Sequence, residues 1–123
     1  MEKKFESFEL RENFNSICTA LYSYSTSLKM YYSISFNEQV IDIAKNGINE
    51  CLARIRISKK ECLNLAKEIK SICLPQSVKI NIKTLGYAET SLDTLGRVIN
   101  DVEIKNEIGE IAEELRNIID NLS

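Results

Sequence analysis

Six apolar residues near the C-terminus, Ile104, Ile108, Ile111, Leu115, Ile118 and Leu122, recur at alternating spacings of four and three. Only an α-helix with one buried stripe gathers such positions, because side chains about 100° apart per residue return to the same side after three or four steps. Glu103, Glu107, Glu110, Glu113 and Glu114 flank the stripe and make this an acidic amphipathic helix. Asn100-Asp101 ahead of it offers a cap, and the acids in its first turns favour the positive end of the helix dipole.

The same periodicity runs through the rest of the chain. Leu10, Phe14, Ile17, Leu21, Tyr24, Leu28 and Tyr31 predict a first helix of about 25 residues with a narrow seam. Ser23, Ser25, Thr26 and Ser27 weaken its intrinsic propensity, so packing must hold it. Tyr22, Tyr24, Tyr31 and Tyr32 read as core residues with wet hydroxyls, although stacking on bases is an alternative use. Ser35-Phe36-Asn37-Glu38 has the form of a capping box and predicts a second helix buried through Val40 or Ile41, Ala44, Ile48, Cys51 or Leu52, and Ile55, with Gly47 permitting close approach of a neighbour. Arg54-Ile55-Arg56-Ile57 alternates like a strand, but an isolated four-residue strand would have nothing to pair with.

A second capping box, Ser58-Lys59-Lys60-Glu61, predicts a third helix from Lys59 to about Cys73, where Pro75 requires a break or a kink. Val78, Ile82, Leu85, Ala88, Leu92, Leu95 and Ile99 then resume the pattern, with a turn near Gly86-Tyr87 as an open alternative. The expectation is an all-α fold, an antiparallel up-and-down bundle of four to five helices, with residues 1–123 forming a single domain.

Charge is distributed unevenly. Residues 45–83 carry a net +6, residues 1–44 a net −2 and residues 84–123 a net −6. On the third predicted helix Lys59, Lys67 and Lys70 fall within roughly 100° of Lys60, opposite Cys62, Leu65, Ala66, Ile69, Ile72 and Cys73. Arg54, Arg56, Lys59, Lys60, Lys67 and Lys70 are therefore the candidate nucleic-acid-binding residues, since a basic helix face neutralises phosphates. The competing reading pairs these cations with the acidic last helix, within the fold or between subunits. The protein would then be an interaction scaffold, or a small inhibitor docking on a larger protein through its acidic face.

The chain has no histidine, which excludes Ser-His and Cys-His nucleophiles and a histidine-ligated zinc. Nothing converges on a catalytic pocket, and the glutamates of the last helix read as a solvated face, so neither an enzyme nor a cofactor is expected. Cys18, Cys51, Cys62 and Cys73 form no C-x-x-C pair and fall in or beside apolar stripes, as reduced packing cysteines do. The charged start, Met1 to Glu6, and the short apolar runs support neither export nor membrane spanning, so a cytoplasmic setting is expected. Phe5, Phe8, Ile43, Ile57, Ile80 and Ile104 or Val102 lie outside or at the edges of the stripes, more apolar surface than one bundle consumes, which predicts a homo-oligomer.

Ala20-Leu21-Tyr22, Glu38-Gln39-Val40, Ile57-Ser58-Lys59-Lys60-Glu61-Cys62-Leu63, Leu85-Gly86-Tyr87 and Glu114-Leu115-Arg116-Asn117-Ile118-Ile119 occur in that order along most of the chain. In this order the chain resembles the four-helix-bundle family of the 23S rRNA intervening-sequence proteins and the accessory variability determinant of diversity-generating retroelements. The resemblance implies a ring-like homo-oligomer, a pentamer, without catalysis, and with a nucleic acid, RNA, or a reverse transcriptase as partner. The chain departs from the family in having Ile48-Asn49-Glu50-Cys51-Leu52-Ala53 in place of an Asn-Ile-Ala-Glu-Gly stretch, and in its net acidity.

Overall fold

The computed structural model describes the backbone of residues 2–72 and 78–123 and the side chains of residues 8–72 and 78–123. Four helices make up the fold: α1 (Glu2–Ile34), α2 (Ile41–Ile72), α3 (Lys79–Val98) and α4 (Val102–Leu122). The chain is all-α, as the periodicity requires. Pro75 and Cys73 lie outside the described residues.

The apolar stripes are buried where their spacing placed them except at Ile72, which the wheel set with the core but which stands exposed at the end of α2; Tyr22, read as core, is likewise exposed on α1. Leu10, Phe14, Leu21 and Leu28 from α1 meet Ile48, Leu52, Ile55 and Ile69 from α2, and Leu85, Leu92 and Leu95 of α3 close the core with the stripe of α4. At about 25 cal/mol per Å² of apolar area, each fully buried leucine or isoleucine contributes roughly 1.5–3 kcal/mol, which overrides the poor propensity of the serine-rich part of α1.

The helices alternate in direction. α1 and α2 pack antiparallel, with the Tyr31 ring against Gly47 at one end and the Cys18 thiol against Cys62 further along. α3 and α4 form the second antiparallel pair, joined through Gly96 beside Ile108 and Glu89 beside Arg116. The pairs stack so that α1 lies along α3 and α2 along α4, each in parallel. Consecutive helices α2 and α3 thus sit across the diagonal of the bundle.

α1 is longer than the expected 25 residues, at 33, and two expected helix starts are corrected. Ser58 starts no helix: it is buried within an unbroken α2. Ile55, Ser58, Cys62, Ala66 and Ile69 form one continuous stripe, and a capping box caps only where the preceding backbone leaves the helix. Ser35 does not cap α2 either. Its hydroxyl donates to the Tyr32 carbonyl at the end of α1, and the Asn37 side chain accepts from Gln39 N–H instead, so α2 begins at Ile41. The expected cap on α4 holds, since Asp101 accepts from Ile104 N–H at 3.2 Å. α3 passes through Gly86 without a turn.

Candidate nucleic-acid interface

α2 is the element that positions the candidate cations, and its register against α1 and α4 sorts them into two groups. Three are engaged within the fold. Arg54 points along the α1 side, with its guanidinium 5.9 Å from the Tyr24 ring centre and 3.7 Å from Glu50 one turn back. Arg56 donates through two guanidinium nitrogens to the carboxylate of Glu107 on α4. Lys59 is only 24% exposed and meets Glu114 at 2.7 Å.

The Arg56–Glu107 contact shifts both partners. Hydrogen bonding to Glu107 raises the Arg56 guanidinium above its ordinary value against a smaller cost of burial. The same hydrogen bonds hold the Glu107 carboxyl below the usual carboxylate range, aided by the charges of Arg56 and Lys59. α2 and α4 are tied by opposite charge along their common edge.

Lys60, Lys67 and Lys70 form the second group. All three are exposed, and among the described residues none has a carboxylate within ion-pair distance. Lys45, which the sequence reading did not include among the candidates, joins them. At about 100° per residue, Lys45, Arg56, Lys60, Lys67 and Lys70 fall within a sector of about 80°, and a rise of about 1.5 Å per residue makes the row about 37 Å long. The signal for Lys45 was present in its spacing from Lys60 and Lys67. It was hidden by the false helix start at Ser58, which assigned Lys45 to another element.

Glu50, Glu61 and Glu68 share a different sector of α2, toward α1, so the lysine row keeps one sign of charge along its length. Flexible ammonium groups in such a row suit phosphate oxygens spaced along a backbone. Arg56, the row's only planar fork, is already spent on Glu107.

The rest of the surface differs in character. The groove between α3 and α4 is a shallow depression of about 640 Å³ bordered by Asp93, Glu110 and Glu113, with Arg97 and Lys105 among them and Gly96 and Gly109 on its floor. Where α1 and α3 end, a cleft of about 440 Å³ lies between Tyr32, Phe36, Leu95, Val98 and Ile99. Burial and the nearby Asp101 charge push the Tyr32 phenol up. No helix among the described residues is long and apolar enough to cross a membrane. No protein-family model matches this sequence, and neither a curated protein nor a solved structure matches it.

Proposed function

We propose that this chain is a non-enzymatic, self-associating cytoplasmic adaptor that holds a nucleic-acid backbone along the α2 lysine row. One observation carries the reading: Lys60, Lys67 and Lys70 stand exposed in line with Lys45, without acidic partners among the described residues, on a protein whose net charge is −2. An acidic protein that segregates cations on one ridge focuses positive potential there. RNA is preferred to duplex DNA, and a reverse transcriptase is the second partner, on the strength of the family resemblance.

Binding of this kind is tolerant of sequence and steeply dependent on salt. With about four lysines neutralising phosphates, the logarithm of affinity should fall with the logarithm of salt at a slope of about −3. The test is retention of the purified protein on an immobilised structured RNA. Lys60→Glu with Lys67→Glu should abolish retention at unchanged helicity. An intact protein that ignores the RNA at low salt, or a double variant that binds as well as the parent, overturns the reading.

A second reading is favoured by the pairing of Arg56 and Lys59 with Glu107 and Glu114, which absorbs part of the basic charge inside the fold. In it the acidic groove bordered by Asp93, Glu110 and Glu113 docks on a larger, basic protein, and the molecule is a scaffold or an inhibitor. Capture of a protein that is lost on Glu110→Lys with Glu113→Lys, without retention on RNA, would select it.

A further inference from the structure

Charge avoids one side of this molecule. Between Asn13 and Ile34, α1 carries a single charged residue, Lys29, in a chain of which 28% is charged. Its outward row beside α3 is Asn15, Thr19, Tyr22, Thr26, Met30 and Ser33, all exposed and uncharged, and the same line continues toward the N-terminus through the exposed Glu12. The matching row on α3 is Ile80, Thr84, Tyr87, Ser91, Thr94 and Val98, spaced strictly by four and three and without a charge. These are two outward stripes in addition to the ones that face the core. Ile80 is 78% exposed and Val98 71%, and the two rows meet where the Tyr22 and Tyr87 rings lie 6.0 Å apart.

We propose that this α1–α3 face is the docking surface for a second copy of the same chain, in a two-fold dimer. Its size fits that occupant. The α3 row and the uncharged part of the α1 row are each about 27 Å long, and two helices side by side are about 20 Å wide, giving roughly 540 Å² of projected face. A standard interface takes about 800 Å² of accessible surface from each partner, and accessible surface exceeds the projection of a corrugated face. An uncharged surface of threonines, serines and large apolar groups also complements itself without burying unpaired charge, as an isologous contact demands.

The lysine rows of α2 stay outside, so the inference rests on the self-association in the proposed function and not on its nucleic-acid part.

Sedimentation equilibrium of the full chain over a range of protein concentration tests it. The parent should be a dimer. Thr26→Glu with Tyr87→Glu should weaken association more than about tenfold, because each dimer would bury four new carboxylates. Thr26→Glu alone, at an exposed site, keeps the test valid if the tyrosine change harms folding. Ile43→Glu with Ile57→Glu, exposed on α2, should leave the dimer intact, and RNA retention measured beside it should not follow the oligomeric state. A monomeric parent, a pentamer or any larger closed ring, or dissociation by the α2 pair in place of the α1–α3 pair, overturns the proposal.

Discussion

Arg56 on α2 grips Glu107 on α4 through two nitrogens, and three residues further along α2 Lys59 meets Glu114. The pairing makes a small, pH-dependent contribution to stability. The Glu107 carboxyl is depressed in the folded protein, so the contribution is complete above the unfolded carboxylate value of about 4.3 and disappears as pH falls through the lower folded value. Arg56 is half exposed, and solvent screening limits the effect to less than about 1 kcal/mol. Urea unfolding of Glu107→Gln should show that deficit at neutral pH, and the deficit should shrink as pH falls below about 4.3 toward the lower folded value.

Ser25 is wholly buried in α1, and its hydroxyl has no hydrogen-bond partner among the described residues. Ser25→Ala removes an unsatisfied polar group and improves helix propensity, and should stabilise the protein by about 1 kcal/mol. A rise in Tm of several degrees is expected. A fall would mean that the hydroxyl has a partner.

Glycines in this bundle should respond to alanine with opposite signs. A methyl group at Gly47 would come within 2.5 Å of the Tyr31 ring carbons, whereas nothing lies within 4 Å of one added at Gly86 or Gly109. Gly47→Ala should cost about 1–3 kcal/mol through overpacking between α1 and α2. Gly86→Ala and Gly109→Ala should each gain about 0.5–1 kcal/mol, as ordinary helix positions do. Thermal melts of the three variants decide it.

The Cys18 thiol is pushed up by its hydrogen bond with Cys62 and by burial, and burial followed by the Glu50 charge raises that of Cys51. Thiolates are the reactive species, so these groups should resist a disulfide reagent in the folded protein. In a Cys73→Ser variant, labelling at pH 8 should track unfolding and show no fast phase.

Burial stripes were legible in the sequence because they are periodic and repeat over many turns, as from Ile104 to Leu122. The Asp101 cap was legible because it is local: its carboxylate needs only the backbone three residues on. Ser58 misled for the complementary reason. A serine followed three residues later by a glutamate looks the same inside a helix as at its start, and only the unbroken stripe from Ile55 to Ile69 distinguishes the two.

Of the six candidate cations, a helical wheel could place Lys60, Lys67 and Lys70 on an outward side. It could not say that Lys59 leans on α4 or that Arg54 lies over Tyr24, because those outcomes depend on which helix stands at each flank. The neutrality of α1 between Asn13 and Ile34 was equally present in the sequence.

An unbroken α2 also makes the protein a ruler. The span from Lys45 to Lys70 is set by helical rise alone, with no joint between its ends at which the distance can adjust. Anything that engages both ends is measured by the contact. Inserting seven residues within the exposed row would lengthen the grip by about 10 Å at nearly the same phase, whereas inserting five would turn one half of the row away from the other.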